Sequence, residues 1–432
     1  MPRVRLPGPL LASIIAFVAA GCTTDPPTTP PGPTTYTLSP AAQWSGGVVF
    51  LHAASIAGSP GSHLVWAGDD SIVPTAVDDS TVSFPLPLGP SGAVAIRVSG
   101  AAGGDSVGMV QRVGWAGTRD LQGVYWGLTA WRPHGTFAVL GYGHAPPYDL
   151  FSADLLTGAA TEFSGLGPPG ESSWAVSTGL MPGSVVARGS APDSIAVWQL
   201  APSVIRIGEA VNEPGGVRQL VQISDSLFVA TGHHSYSVLR LGDANFARSG
   251  QLEETQRVVS SPDGNWTTFA ATTSPFVDPY GVPVLDSHNG DSLYVLPLRS
   301  VAAVAFSADS RTLYAAGGDI SGTTDTLIAM DPATGAVTLR TAVPDSARIF
   351  AIIEEPQTGR LYLGAELNPP TGPSEVLVYD AGTLELLGRL PGGLVCVSYC
   401  SVGDLSVDPS THRLFVAAVG QTPTVQTFDL LP

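Results

Sequence analysis

Short stretches in which apolar and polar residues alternate run through most of the chain. Apolar side chains take every second position over residues 82–86 and again over residues 94–98. A period of two is typical of β-strands that bury one face. The stretches are separated by turns, for which 50 Gly and 38 Pro provide the residues. The pattern therefore predicts an all-β fold.

From residue 112 onward, a turn followed by an apolar strand recurs seven times. The strands after the turns are alike, as residues 312–316, 360–364 and 413–417 show. The turns are at residues 132–135, 181–183, 224–226, 261–264, 307–309, 355–359 and 408–410. Their starts are 37 to 53 residues apart, which is the length of one four-stranded propeller blade.

A second turn recurs out of phase with the first, at residues 154–158, 331–335 and 380–383. Together the two turns resemble those of the YVTN-type β-propellers, including their Asp-Pro-x-Thr-Gly hairpin, and the resemblance covers residues 112–432. It implies a seven-bladed propeller. A ring of Asp residues is open to interpretation as a cation or ligand site. Turn chemistry favours the other interpretation, because Asp starts tight turns by bonding its own backbone.

The last blade has too few strands to be complete. Residues 427–431 supply only its third strand. We expect the fourth strand to come from Met109–Trp115, just before the first blade. Such a closure ties the two ends of the ring together and removes exposed strand edges.

Residues 36–111 form a separate segment that resembles an Ig-like IPT/TIG module. The residues that carry the resemblance are 38–40, 46–47, 65–68 and 79–82, the last leading to Pro87. An unrelated β-sandwich is the alternative. The fold class predicted for the whole chain is thus all-β, with a small Ig-like β-sandwich followed by a seven-bladed β-propeller.

The N-terminus has the layout of a secretory signal. Arg3 and Arg5 precede an apolar stretch, which ends in small residues and Cys22. Ala19-Ala20-Gly21-Cys22 resembles the lipobox of bacterial lipoproteins, which implies a signal over residues 1–21 and diacylation of Cys22. A plain secretory signal that is cleaved elsewhere is the alternative. Residues 22–35 are rich in Pro and Thr and read as an extended spacer between the lipid and the body.

Charge and composition exclude several functions. The formal net charge is −17, so nucleic acid is a poor partner for the bulk surface. All 19 basic residues are Arg, which rules out a lysine Schiff base, a P-loop lysine and a Ser-Lys dyad.

Motifs for catalysis or cofactor binding are weak. Residues 165–170 fit G-x-G-x-x-G, but two prolines and the lack of a following helix favour a loop. Quinone-dependent propellers carry a Trp soon after the Thr-Gly of the hairpin, and no Trp follows Thr334-Gly335 directly. We predict no cofactor and no metal.

Cysteines and histidines mark loops at the opposite face from the recurring turns. Cys396 and Cys400 are an even pair in an oxidising compartment, so a disulfide is expected. His144, His233 and His234 read as solvent-exposed loop residues. A metal or proton-transfer role is the alternative, although neighbours on a strand point opposite ways.

Three arginines, Arg218, Arg257 and Arg348, lie near the starts of inner strands in blades three, four and six. One interpretation is a small cationic funnel for a carboxylate or phosphate. The other is that they are salt-bridged surface residues. Their offsets from the following turns differ, which argues against one common level in the channel.

The function predicted from these features is that of a lipid-anchored, extracytoplasmic protein of the bacterial cell envelope. Its propeller would act as a non-catalytic binding or scaffolding module for protein, glycan or a small anionic ligand. A propeller enzyme, of the lactonase or quinone-dependent dehydrogenase type, is the alternative, because related propellers host both activities. Fold alone does not decide between them.

Overall fold

The structure is a computed structural model that describes much of the chain after Thr35. Side chains are not described in every strand, and those of residues 113–220 are left aside. The described residues are 36–44, 47–53, 64–78, 80–87, 92–100, 103–113, 115–120, 128–131, 136–140, 150–154, 160–163, 174–176, 184–188, 194–199, 205–211, 219–223, 226–231, 235–240, 248–251, 255–271, 281–298, 300–318, 325–344, 347–366, 374–391, 401–408, 410–419 and 424–430.

Nine strands at the start of the described chain form two sheets. They are β1 (Tyr36–Ser39), β2 (Ala42–Trp44), β3 (Val48–Ala53), β4 (Val65–Ala67), β5 (Asp70–Ile72), β6 (Thr75–Ala76), β7 (Thr81–Pro85), β8 (Gly92–Gly100) and β9 (Gly103–Val113). One sheet has the order β1-β3-β7-β6 and the other β2-β9-β8-β4-β5. They enclose a common core of alternate residues, such as Leu51, Phe84 and Ile96, so this part is a β-sandwich.

Described residues beyond the sandwich form seven groups of four antiparallel strands, the blades, of which the fourth and fifth are joined into one eight-stranded sheet by the pair Ala271↔Val301. β10 (Trp115–Asp120) comes first in the chain. Blade 1 is β11 (Leu128–Trp131), β12 (Thr136–Leu140), β13 (Leu150–Asp154) and β14 (Ala160–Phe163); blade 2 is β15 (Trp174–Val176), β16 (Ser184–Arg188), β17 (Ser194–Gln199) and β18 (Ile205–Val211); blade 3 is β19 (Gln219–Gln222), β20 (Leu227–Thr231), β21 (Ser235–Arg240) and β22 (Arg248–Gln251).

The remaining blades follow the same order. Blade 4 is β23 (Thr255–Ser260), β24 (Trp266–Ala271), β25 (Pro283–Asp286) and β26 (Ser292–Val295); blade 5 is β27 (Ser300–Phe306), β28 (Leu313–Gly318), β29 (Asp325–Met330) and β30 (Val337–Ala342); blade 6 is β31 (Arg348–Glu355), β32 (Arg360–Glu366), β33 (Ser374–Asp380) and β34 (Leu386–Pro391); blade 7 has β35 (Ser401–Asp408), β36 (Arg413–Val419) and β37 (Thr424–Asp429).

The blades close into a ring. First strands lie side by side from blade 2 to blade 7, β12 of blade 1 meets β15 of blade 2, and β35 of blade 7 lies against β11 of blade 1. Each of the seven recurring turns lies between the first and second strands of a blade. The second turns lie between third and fourth strands, so both sets are at one end of the blades. The predicted all-β propeller is confirmed.

The closing strand is β10, and its predicted position was wrong. β10 pairs with β37 as the fourth strand of blade 7, from Trp115↔Phe428 to Asp120↔Thr424. Of the expected segment, Met109–Trp115, residues 109–113 belong instead to β9, and Trp115 is the first residue of β10. Val110 is fully buried in the sandwich core, and this burial commits the segment to the sandwich.

The sandwich and the propeller share a hydrophobic contact. The core between blades 6 and 7 contains Tyr362, Val378 and Phe428, and Ala42 of β2 packs against it. β2 lies beside β34, the outer strand of blade 6. Only one residue separates β9 from β10, so both the chain and a side-chain contact join the two parts.

Among the residues described, no helix is long and apolar enough to cross a membrane.

Candidate functional site

Aspartates on the turn face cap the turns in which they lie. In blade 5, Ser307 Oγ donates to Asp309 Oδ1 at 2.7 Å and the Arg311 amide donates to the same oxygen at 3.0 Å. These two bonds hold the pKa of Asp309 below its usual value. Blade 4 repeats the arrangement, with Ser261 Oγ donating to Asp263 at 2.6 Å. Turn formation therefore accounts for these carboxylates.

Glu354 joins the turn face of blade 6 to blade 5. Its Oε2 accepts the backbone N–H of Ala308 at 2.7 Å, and the Tyr314 hydroxyl lies 3.5 Å from Oε1. Burial raises the pKa of the Glu354 carboxyl, the Ala308 bond opposes that change, and the charge of Asp309 adds to it. The carboxylate thus bridges two blades at an electrostatic cost.

Glu355, the next residue, is fully buried and joins blade 6 to blade 7. Thr358 Oγ1 donates to its Oε2 at 2.5 Å and the Tyr362 hydroxyl donates to the same oxygen at 3.1 Å. His412 Nδ1 of blade 7 lies 3.4 Å from Oε1. Adjacent strand residues point to opposite faces, so Glu354 and Glu355 contact the blades on either side.

Two side-chain hydrogen bonds join blades 4 and 5, in addition to the backbone pairing of Ala271 with Val301. Ser310 Oγ accepts the Asp263 amide at 3.0 Å, and the Tyr294 hydroxyl donates to the carbonyl of Pro332 at 2.8 Å. The Tyr294 ring also lies against Gly335, where a Cβ would come within 2.9 Å of it. The blade-5 hairpin therefore needs Gly335 both for its positive φ of 74° and for this contact.

The interpretation of the Asp ring as a cation site gains no support from this geometry. Within the part of the chain that the structure describes, no group of three His, Cys, Asp or Glu side chains could hold a metal ion. The bonds of Glu354 and Glu355 between blades instead give the described turn face a structural role.

Most residues singled out from the sequence lie outside the described residues. These are Cys22, His144, Arg218, His233, His234, Cys396 and Cys400. In chain order, His144 falls between β12 and β13, and the two adjacent histidines fall between β20 and β21. The disulfide and the histidine roles therefore stay predictions.

Arg257 and Arg348 lie at different levels of the inner strands. In blade 4, Thr255 pairs with Ala271 and Arg257 pairs with Ala270, with a bulge between them. Blade 6 has the same bulge after Ile349, and Arg348 precedes it whereas Arg257 follows it. The structure describes the side chain of Arg257 as half-buried and leaves that of Arg348 aside. The cationic funnel stays a prediction, and the backbone positions of Arg257 and Arg348 are not equivalent in their two strands.

The sandwich carries an exposed apolar face that the sequence analysis missed. On β3, Val49 and Leu51 are buried, whereas Val48 and Phe50 point outward and are exposed. Val73 and Val77, which flank β6, are exposed as well. Period-two alternation identified such strands as half-buried, but an outward face of Val and Phe is unusual because antiparallel sheets commonly turn polar residues to water. The continuous apolar run at residues 48–51, where alternation would place polar residues at every second position, was the signal in the sequence.

Comparisons with known proteins support the fold. No protein-family model matches the sequence, and no curated protein matches it. A chain of the "Crystal Structure of Mitotic Checkpoint Complex" is similar in structure, with a TM-score of 0.54 and 13% sequence identity. The similarity covers 74% of this chain and 92% of that chain. At this identity the likeness shows the fold alone, which is that of an all-β propeller.

Proposed function

We propose that this protein is an extracytoplasmic lipoprotein whose YVTN-type propeller is a non-catalytic scaffold for protein binding. Cys22 carries the lipid, residues 23–35 form the tether, and the IPT/TIG-like sandwich connects the tether to the ring. The observation that carries the proposal is the use of the turn-face carboxylates. Glu354 and Glu355 contact the neighbouring blades and Asp309 bonds within its own turn, so these carboxylates serve the structure of the ring.

Because the carboxylates of the turn face are used in structural bonds, we assign binding to the loops at the opposite end of the ring. That end holds the connections between blades and the loops between second and third strands, which include His233 and His234. Binding residues are concentrated on loops that a rigid scaffold positions. The loop-rich face is therefore the proposed binding face.

A protein partner is favoured over a glycan or a small anion. The similar solved chain comes from a complex of proteins, and propellers of one fold serve many partners. The net charge of −17 favours neutral or basic partner surfaces, because like charges are repelled. Out-of-register Arg257 and Arg348 weaken the case for a small anionic ligand.

Site-specific photo-crosslinking in intact cells tests the proposal. Amine-reactive crosslinkers are unsuitable because the chain has no lysine. A photo-reactive residue is placed at His233 on the loop-rich face and, as the matched control, at Asp309, whose side chain is 61% exposed on the turn face. We expect one protein partner to crosslink from position 233 and not from position 309.

Two results would contradict the proposal. One is crosslinking at equal yield from both positions, which would show that the loop-rich face has no special role. The other is turnover of lactones, or of alcohols with a quinone acceptor, by the purified protein. Turnover would favour the enzyme alternative.

A further inference from the structure

A serine, a histidine and a threonine lie in line across three adjacent strands of the sandwich. Ser39 is on β1, His52 on β3 and Thr81 on β7, and these strands are neighbours in one sheet. Ser39 Oγ is 2.9 Å from His52 Nε2, and His52 Nδ1 is 3.1 Å from Thr81 Oγ1. Each ring nitrogen of the histidine is therefore bonded to a hydroxyl group.

The register of the sheet brings these side chains together. Thr81 is directly opposite His52, and Ser39 is diagonal to it, because the direct partner of Ser39 is Phe50. Diagonal neighbours on one face are within reach of a long side chain such as histidine. Leu51, next to His52, packs into the sandwich core, so the three polar side chains lie on the side of the sheet away from the core.

A carboxylate next to Thr81 decides which ring nitrogen carries the proton. Hydrogen bonds from the hydroxyl and amide of Ser80 and, to a smaller extent, from the Thr81 hydroxyl hold the pKa of the Asp78 carboxyl below its usual value. An ionised carboxylate only accepts, so the Thr81 hydroxyl donates to Asp78 and its oxygen accepts the His52 Nδ1–H. His52 Nε2 is then the acceptor, and the Ser39 hydroxyl donates to it.

We propose that Ser39 is a nucleophile that accepts an acyl group from an activated ester. Ser39 Oγ forms a bond to the ester carbonyl carbon while His52 Nε2 takes the hydroxyl proton. The bond between that carbon and the leaving oxygen breaks, and the leaving oxygen takes the proton from Nε2. The products are O-acyl Ser39 and the free alcohol or phenol, with His52 neutral again. Thr81 is the positioning residue, since a nucleophile, a base and a group that orients the base are how a serine is activated.

An aromatic ring beside Ser39 indicates which esters fit. Phe50 is the direct partner of Ser39 across the two strands and is 37% exposed. Its ring is stacked on that of His52, with centroids 6.4 Å apart and planes at 21°. Ser39 itself is partly exposed. An exposed ring next to the nucleophile gives an apolar group a surface to contact, so esters with an aryl or apolar acyl group are the class expected.

Acetylation of the purified protein by p-nitrophenyl acetate tests the proposal, with peptide mass spectrometry to locate the acetyl group. The chain has no lysine, so acetylated lysine does not obscure the result. Ser83 is the matched control, because it pairs with Phe50 from β7 and is also partly exposed. We expect Ser39 to be acetylated about a hundredfold faster than Ser83, which is the size of a general-base effect.

Variants separate the base from the residue that orients it. Ser39→Ala should remove the acetyl group, and His52→Gln, which keeps a polar side chain without a base, should lower the rate at Ser39 to that at Ser83. Thr81→Val should lower the rate and Thr81→Ser restore it, because the hydroxyl and not the bulk of the side chain orients the ring. Labelling is done at a temperature at which thermal unfolding shows every variant to be folded.

Equal rates at Ser39 and Ser83, or no acetylation of Ser39, would overturn the proposal. An unchanged rate at Ser39 in folded His52→Gln would overturn it as well, since the histidine would then not act as the base. Acyl transfer to Ser39 is a covalent event in the sandwich and goes beyond the binding proposed for the propeller. Its result is therefore separate from crosslinking at position 233.

Discussion

Glu355 Oε1 and His412 Nδ1 lie 3.4 Å apart across the boundary between blades 6 and 7. The glutamate is fully buried and the histidine side chain is 42% exposed. Two hydroxyls, from Thr358 and Tyr362, complete the partners of the carboxylate. The blade boundary is therefore held by a polar cluster at its turn end as well as by the apolar core beneath it.

Replacing Glu355 should weaken the closure of the ring. Glu355→Ala removes the bonds that the Thr358 and Tyr362 hydroxyls make to this carboxylate and opens a cavity, and we expect a loss of about 3 kcal/mol in the free energy of unfolding. Denaturant titration measures it. The control is Glu385→Ala, because Glu385 is exposed and should cost little. Equal stability of the two variants would show that the cluster contributes nothing.

Removing the charge of Glu354 should increase the stability of the fold, whereas replacing Glu355 should decrease it. The size of the increase should depend on pH. Its pKa is raised above the usual 4.5 by burial. The stability linked to its protonation is therefore fully present below the unfolded pKa and lost as pH rises through the folded one. Glu354→Gln keeps an acceptor for the Ala308 amide and removes the charge.

We expect the stability of Glu354→Gln relative to the natural protein to increase as the pH is raised from about 4 towards 7. Denaturant titrations of both proteins at several pH values measure the difference. A difference that stays constant, or that falls with pH, would mean that the carboxylate is not destabilised by burial at this site.

Alanine substitutions at two glycines with similar φ angles distinguish the cost of backbone strain from the cost of a packing clash. Gly335 has a φ of 74° and Gly359 a φ of 64°. A Cβ at Gly359 meets nothing within 4 Å, whereas one at Gly335 meets the Tyr294 ring at 2.9 Å. Gly359→Ala should cost about 1 kcal/mol for the left-handed backbone, and Gly335→Ala clearly more. Adding Tyr294→Ala should remove the excess, and a double-mutant cycle in which it persists would contradict the contact.

The contact of Ala42 with the core of blades 6 and 7 should hold the sandwich against the ring. Ala42→Glu puts a charge into that contact and should raise amide exchange in β2 and β34 about tenfold. The pairing of β10 with β37 should remain protected, because it does not involve Ala42. Ala41→Glu is the control, since Ala41 is exposed. Unchanged amide exchange in Ala42→Glu would show that this contact does not stabilise the packing of the sandwich against the ring.

Local signals predicted the parts of the fold that are formed locally. The turn at Asp331–Gly335 was identified because Asp and Gly have their own turn chemistry, and the Asp331 side chain indeed accepts the Ala333 amide at 2.8 Å. The closing strand was misplaced by a few residues. Both candidate segments read as strands, and only the pairing of Arg119 with Val425, far apart in sequence, separates them.

The bonds between blades were out of reach of sequence reasoning for the same reason. From the sequence, Glu355 was identified only as the start of a turn and Glu354 was not singled out. Their partners Ala308 and His412 are about 50 residues away in either direction. Residues 48–51 are a continuous apolar run, Val-Val-Phe-Leu, for which the sequence analysis made no strand prediction. Such a run does not show that Phe50 would remain on the solvent side, because that depends on what else covers the sheet.

The identity of the mature N-terminus tests the central claim, a propeller anchored by lipid outside the cytoplasm, most directly. Mass spectrometry of the N-terminal peptide, taken from the membrane fraction of cells that express the full chain, measures it. The account predicts a peptide that begins at Cys22 and carries two or more acyl chains, and its disappearance from that fraction in Cys22→Ala. A peptide that begins elsewhere, or one with an unmodified Cys22, would contradict the account.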